Sequence, residues 1–281
     1  MVSELPGATL SDQVRAAGRF LGDRNEAARL AALALGQPLS WIFAHGDERL
    51  DPRLAQRFAE MVERRAQGAP FAYIAGNREF FGRDFSVSPA VLIPRPETEH
   101  LVEWSLELPL PDHARVLDVG TGCGCIVLSL ASERPGWQCT ATDISKEALA
   151  VAAINRERLL LPHVRLLHGH LLEPVEETNF DLIISNPPYI ATDDPHLKNG
   201  DIRFEPEIAL ASGPEGLGHL RALVESARHV LSEDGWLLLE HGYDQAAAVR
   251  ELLRVNGYEN IESRRDLAGI ERVTGGTSPA C

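Results

Sequence analysis

Apolar positions change their spacing along this chain, and the changes mark its organisation. Over the first 70 residues they recur every three or four positions. Leu10, Val14, Ala17 and Leu21 fall on one helical face, and Leu54, Phe58, Met61 and Val62 on another. Ser11 is placed to cap the first helix, and Asp51-Pro52 opens the later one in cap-then-proline order. The stretch FAYIAGNREFFGRDFSVSP then alternates aromatic and β-branched residues around Gly76-Asn77 and Gly82, which predicts a β-hairpin. After it, PRPETEHLVEWSLEL returns to a helical period.

From Arg115 onward the pattern becomes strand, glycine turn, helix, repeated. RVLDVG, WQCTATD, VRLLHG, FDLIIS and GWLLLEH are short buried strands, and the tail over 258–274 gives two more. Helices are predicted over 122–134, 145–160, 216–231 and 243–255. Such alternation predicts an α/β fold: a doubly wound, mostly parallel, seven-stranded Rossmann-like sheet covered on both faces by helices. The expected domains are a small N-terminal helical domain over 1–70, a hairpin linker over 71–90 and the sheet domain over 91–281. The final GGTSPAC reads as a frayed end.

With 281 residues, 44% of them hydrophobic, the chain can bury one large core or two ordinary ones. No apolar run approaches the roughly 18 residues of a membrane span, and MVSELPGATLSDQV, with Glu4 and Asp12, resembles neither a signal nor a transit peptide. A cytoplasmic location without membrane contact is expected. The net charge of −14 is uneven: residues 1–90 carry 11 Arg and 11 acids, so residues 91–281 supply all of it. That balance argues against direct nucleic-acid binding, which phosphate contacts dominate. Cys123, Cys125, Cys139 and Cys281 form neither a disulfide framework nor a zinc spacing, and no metal site is expected.

The candidate chemistry lies at the ends of the predicted strands. VLDVGTGCG places Gly120, Gly122 and Gly124 after the first strand of the sheet, with Thr121 and Cys123 between them, where a ligand can lie against the backbone. A dinucleotide fingerprint would put its third glycine at 125, where the chain has Cys125, so the spacing suits a nucleoside cofactor without pyrophosphate. Asp143, 19 residues past Gly124, ends the second strand where an acid can hold a ribose diol; capping the next helix is its alternative role. Nucleoside without phosphate points to S-adenosylmethionine. FDLIISNPPYI then stops a buried strand on a rigid turn in which neither Pro187 nor Pro188 has an N–H, leaving acceptors in search of a donor. The Asn186 side-chain oxygen and the Pro187 carbonyl suit the two N–H groups of a planar amide or arylamine, whose lone pair they would aim at a methyl donor. Tyr189 can stack on the planar group. Positioning and electrostatics suffice here, without a general base.

LIPRPETE at 92–99, VLDVGTGCG, ATDIS, FDLIISNPPYI, EPEIALASGPEGL and DLAGIERV together resemble the PrmC/HemK glutamine methyltransferases over nearly the whole chain. The resemblance implies methylation by S-adenosylmethionine of the glutamine amide in the Gly-Gly-Gln motif of peptide chain release factors 1 and 2; a monomer is expected. It assigns the cofactor to Gly120 through Gly124, Asp143 and Asn186, with His170 and Leu171 near the adenine, and the target glutamine to Asn186, Pro187, Pro188 and Tyr189. His170 stands where the family commonly has an acid, and Leu171 where it often has an aromatic. Glu205, Pro206 and Glu207 match a segment beside the substrate, which makes 190–216 an expected lid, while Glu240 and His241 read as structural. The alternatives are a DNA adenine or cytosine amino-methyltransferase, which shares the Asn-Pro-Pro-Tyr turn but not this charge, and a non-catalytic scaffold. The Arg-rich helical module is expected to dock the release factor.

Overall fold

Thr9, and not Ser11, starts the first helix. In the computed structural model, which describes residues 8–279, Thr9 precedes α1 (Leu10–Leu21) in extended backbone. Its hydroxyl accepts the Asp12 N–H while the Asp12 carboxylate accepts the Thr9 N–H. This reciprocal box satisfies orphan donors that Ser11, already inside the helix, cannot reach. α2 (Arg24–Leu35), α3 (Leu39–Ala44), α4 (Pro52–Ala66) and α5 (Phe71–Ala75) complete a first unit that ends at Gly76. Asp51 caps α4 with Pro52 behind it. Leu10, Val14, Ala17, Leu30, Phe58 and Val62 share its core.

The expected hairpin is shorter than its sequence pattern. FAYIA is the single-turn helix α5, which starts after Pro70 and ends on Gly76 in left-handed backbone. Its large side chains do not alternate, because Ala72, Tyr73 and Ile74 are buried in succession on one turn. The antiparallel pair is β1 (Asn77–Phe80) with β2 (Arg83–Ser86), and both strands belong to the second unit, which begins at Asn77.

That unit is built on one sheet. β3 (Arg115–Val119), β4 (Gln138–Asp143), β5 (Arg165–His168), β6 (Phe180–Ser185), β7 (Leu231–Glu240), β8 (Glu259–Arg265) and β9 (Glu271–Thr277) lie in the order β5-β4-β3-β6-β7-β9-β8. β9 runs antiparallel to both neighbours and all other pairs are parallel. α6 (Glu99–Glu107), α7 (Cys125–Glu133), α8 (Lys146–Arg158), α9 (Gly218–Ala227) and α10 (Ala246–Val255) cover it. Strand alternation divides the burial. Leu117, Val119, Ile183, Leu237 and Leu239 pack with Leu220 and Leu223 of α9 and with Val249 and Leu253 of α10. The intervening β7 positions, Trp236, Leu238 and Glu240, face the other way, where Trp104 of α6 meets Trp236 edge-on with ring centroids 6.1 Å apart.

Gly275, Gly276 and Thr277 are not frayed, since they form β9 between β7 and β8. A Cβ on Gly275 would lie 2.3 Å from Leu238 Cδ2 and 2.8 Å from the Leu237 carbonyl, so this glycine permits close packing rather than freedom. Ala280 and Cys281 fall outside the described residues. The chain order reverses at β3, which has β4 on one side and β6 on the other. A crevice therefore opens at the carboxyl ends of β3 and β6, where such sheets bind ligands. Among the described residues, no helix is long and apolar enough to cross a membrane.

Candidate active site

The glycine loop is shaped by backbone that side chains disfavour. Gly120, Gly122 and Gly124 have φ of 73°, 57° and 84°. The Gly120 and Thr121 N–H groups both donate to the Thr142 carbonyl, which pins the loop to the end of β4. An added Cβ at Gly120 or Gly122 would meet nothing within 4 Å, so the loop faces open space there. At Gly124 it would lie 2.9 Å from Leu128 Cδ1, so this glycine serves the packing of α7 and does not line the crevice. Asn155 of α8, which sequence reasoning missed, clamps the loop from behind. Its Nδ2 donates to the carbonyls of Cys123 and Ser86 at 2.8 and 3.0 Å, and its Oδ1 accepts the Ser86 N–H at 2.7 Å.

Two acids lie beneath and beside this loop. Asp143 Oδ2 accepts the Gly122 N–H and Oδ1 the Ser145 N–H, both at 2.8 Å. Ser145, rather than Asp143, caps α8 by accepting the Ala148 N–H. Burial raises the Asp143 carboxyl above its ordinary range, against those N–H groups and His168, which lower it. Asp118 is fully buried on β3. Its Oδ2 accepts the Thr121 hydroxyl at 2.6 Å, while Oδ1 has no partner. Burial, aided by the Asp143 charge, pushes Asp118 up to about 7.

Asp143, unlike Asp118, lines a cavity of about 220 Å³ that also takes in Gly120, Thr121, Gly122, Cys123, His170, Leu171, Asn186, Pro187 and Pro188. Its walls contain Asp143 and two imidazoles but no Lys or Arg. His170 and Leu171 sit in the turn after β5. Leu171 adopts φ of 48°, and its carbonyl accepts the Thr142 hydroxyl at 2.9 Å. Across from His170, at a ring separation of 6.4 Å, stands His219, which the sequence did not single out. Ser212 Oγ accepts the His219 backbone N–H at 2.9 Å and lies 2.7 Å from Nδ1, an arrangement in which the hydroxyl donates to Nδ1 and leaves the ring proton on Nε2. Burial, with His170 nearby, lowers the His219 pKa.

Asn186 and Pro187 follow directly on β6, whose Ser185 Oγ donates to the Val119 carbonyl at 2.6 Å and ties the ends of the two switch-point strands together. Asn186 Nδ2 donates to Thr98 Oγ1 at 3.2 Å. Tyr189 does not line the main cavity. Its hydroxyl turns inward to Glu240 Oε1 at 3.3 Å, while the ring borders a second, smaller cavity of about 70 Å³ with Arg95, Ile190, Ile202 and Leu210. Leu92, Asn186, Pro187 and Ala209 line both cavities, so the Asn-Pro step stands in the partition between them.

The long segment after Ile190 is held at its neck. The Ile190 N–H donates to the Leu210 carbonyl and the Ser212 N–H to the Ile190 carbonyl, with three 3-10 turns between. Glu205 fastens it inward: its side chain is fully buried, accepts the Ile93 N–H at 3.0 Å and pairs with Arg95 of the PRPETE segment. Pro206 lines the main cavity, and Glu207 begins the last 3-10 turn. Among the described residues, no cluster of His, Cys, Asp and Glu could hold a metal ion.

Comparison with known proteins gives this geometry a family. Residues 10–76 match the PrmC N-terminal domain family and residues 98–200 the Methyltransferase small domain family. The release factor glutamine methyltransferase of Pseudomonas aeruginosa is 48% identical over 246 residues, covering 87% of this chain and 89% of its own. That of Xylella fastidiosa is 48% identical over 260 residues, covering 92% and 94%. A crystal structure of a methyltransferase from Pyrococcus furiosus superposes with a TM-score of 0.55 over 80% of this chain and all of its own, at 21% identity, and so shares the fold. With 48% identity over about nine-tenths of the chain, the chain belongs to the release factor glutamine methyltransferase family.

Proposed function

We propose that this protein transfers a methyl group from S-adenosylmethionine to the side-chain amide nitrogen of the glutamine in the Gly-Gly-Gln motif of peptide chain release factors 1 and 2, acting as a cytoplasmic monomer. The observation that carries this reading is the partition: Asn186 and Pro187 border a nucleoside-sized cavity on one side and a small channel on the other. The residues present fit the cofactor. Gly120 and Gly122 leave open space for close approach, and Asp143 keeps acceptor capacity beyond its two backbone bonds. Among the described residues the walls carry the Asp143 carboxyl and no Lys or Arg, which favours a cationic ligand over a phosphorylated one. When bound, the cofactor supplies an electrophilic methyl on a sulfonium.

Everything else falls to the protein. Asn186 Oδ1 and the Pro187 carbonyl accept the two N–H bonds of the glutamine amide, favour a more pyramidal nitrogen and point its lone pair through the partition. As the new N–C bond forms at the expense of the methyl–sulfur bond, whose electron pair would stay on sulfur as a neutral thioether, positive charge grows on the nitrogen and both acceptors stabilise it. The methylated nitrogen, strongly acidic while it is cationic, then gives up one proton to solvent, so the product is a neutral N-methyl amide. Pro188 keeps the turn rigid and Leu92 closes the wall against water.

Mass spectrometry of purified release factors 1 and 2, incubated with this protein and S-adenosylmethionine, tests the reading. One added methyl on the Gly-Gly-Gln glutamine is expected, and it is lost with Asn186→Ala. No methyl from the wild type, with cofactor binding verified separately, refutes the reading. The first unit, matching the PrmC N-terminal domain family, carries no group suited to the chemistry, and we assign it to docking the release factor. A chain beginning near Asn77 is then expected to bind cofactor normally but to show a raised KM for the release factor; an unchanged KM refutes the docking role.

A further inference from the structure

Both ends of the Asn-Pro-Pro-Tyr turn are tethered to buried polar groups that the sequence left out of the site. Asn186 Nδ2 donates to Thr98 Oγ1, and the Tyr189 hydroxyl donates to Glu240 Oε1. Thr98 ends the 3-10 turn Pro96–Thr98 that leads into α6, and Glu240 is the last residue of β7. Each is 2% exposed. Strand alternation directs Glu240 here, because it shares a face with Trp236 and Leu238, the face that α6 covers. Thr98 also lowers the proton affinity of Glu240. Glu240 Oε2 nevertheless has no partner in hydrogen-bond geometry, so the hydroxyl acts on the carboxylate as a nearby donor dipole.

An asparagine amide has two ends of the same shape and opposite polarity, so sterics alone do not decide which end meets the substrate. A threonine hydroxyl has one proton. We propose that Thr98 and Glu240 are positioning residues that fix this polarity: the carboxylate draws the Thr98 proton toward itself, Thr98 Oγ1 is left to accept from Asn186 Nδ2, and Asn186 Oδ1 is thereby turned to the acceptor amide. The inference rests on the reading of Asn186 as the acceptor of the glutamine N–H. Tyr189, held on the same carboxylate, fixes the other end of the turn.

The arrangement has a pH consequence. If Glu240 takes up a proton, its own O–H competes for Thr98, the threonine proton swings to Asn186, and the amide then presents N–H to N–H. Burial, with the Glu97 charge, pushes Glu240 up to about 7 against Thr98, Tyr189 and Arg272, which lower it. Cys125 of α7 also faces this carboxylate, which helps keep that thiol protonated. Activity is therefore expected to fall as pH drops below neutrality, with Glu240 as the source of the limb.

The test compares wild type, Thr98→Val, Thr98→Ser and Glu240→Gln for kcat, release-factor KM and cofactor affinity between pH 6 and 9. Thr98→Val, which keeps the shape and loses the hydroxyl, is expected to lower kcat about 10- to 100-fold with cofactor affinity retained. Thr98→Ser recovers most of that loss. Glu240→Gln, a neutral isostere that removes a buried acid, lowers kcat and flattens the acid limb. Wild-type kcat in Thr98→Val overturns the proposal, as does an undiminished acid limb in Glu240→Gln, which also decides the matter should Thr98→Val fold poorly. Methylation by the wild type with either of those results refutes the positioning roles alone. No methylation by the wild type refutes the functional reading and this inference with it.

Discussion

Replacing Asp143 with Asn tests the cofactor site at its most heavily used side chain. The carboxylate accepts two backbone N–H groups at 2.8 Å, one from Gly122 in the glycine loop and one from Ser145 ahead of α8. Asparagine keeps one oxygen, so its NH2 must face the other N–H, donor against donor. At 9% exposure water does not fill the gap, and the mismatch costs about 1–3 kcal/mol of stability. The cofactor loses separately: a ribose diol held by a charged acceptor gives up one charge-assisted bond worth about 1.5–3 kcal/mol, or about 10- to 150-fold in Kd. Calorimetric titration with S-adenosylhomocysteine reads the second effect, and thermal unfolding without ligand reads the first. Since burial raises the Asp143 pKa, wild-type affinity is also expected to weaken as pH falls and the carboxylate takes up a proton, at a higher pH than an ordinary aspartate would require, while the Asn variant stays flat. A variant Kd within about threefold of wild type at pH 8, below the smallest loss expected for one such bond, would show that the ribose does not rest on Asp143.

Three other outcomes follow from the buried polar groups. Asn155→Ala removes three hydrogen bonds at a residue 1% exposed and is expected to cost about 2–3 kcal/mol, lowering the melting temperature by several degrees and weakening cofactor binding through the Cys123 carbonyl. Burial pushes the Cys139 thiol up to about 12 and, with the Cys123 side chain, raises Cys125 well above the usual thiol range, so iodoacetamide at pH 8 should label neither until the protein unfolds; peptide mapping checks this. Glu240, at about 7, holds its proton in the folded state to higher pH than it does unfolded, so its contribution to stability is full below the unfolded value near 4.5 and is lost as pH rises through 7. Urea melts at pH 5 and pH 8 should therefore show Glu240→Gln gaining on wild type as pH rises, by up to about 1.4 kcal/mol per pH unit within that window, and a constant difference would contradict the buried-acid account.

The sheet was legible because parallel strands buried on both faces read as short apolar runs, and FDLIIS, RVLDVG and WQCTATD do so without ambiguity. The main cavity was legible where backbone constraint shows in residue type, as in the glycines of the loop and the prolines of the turn. Groups acting across long sequence separations were hidden. Asn155 clamps a loop 32 positions earlier, and Thr98 meets Asn186 across 88. Each sits in a local pattern that a helix face or a helix start would explain alone. GGTSPAC misled for a related reason: Gly275 against Leu238 and Gly276 against the Glu259 carbonyl serve close packing, yet the pair has the composition of a loose end.

The hidden groups share a physical character. Asp118 and Glu240 are carboxyls in surroundings that penalise their charge, and each leaves one oxygen without a partner. A fold selected for stability alone would hold an amide or a leucine at either position, since a half-satisfied buried acid is a liability. Both lie beside the site instead, Asp118 accepting the Thr121 hydroxyl of the glycine loop and Glu240 the Tyr189 hydroxyl of the Asn-Pro-Pro-Tyr turn, where an acceptor carboxylate sets the direction of neighbouring hydroxyl protons. The stability lost to them near neutral pH and the preorganisation of the site therefore have one cause, and removing either acid should move the two in opposite directions.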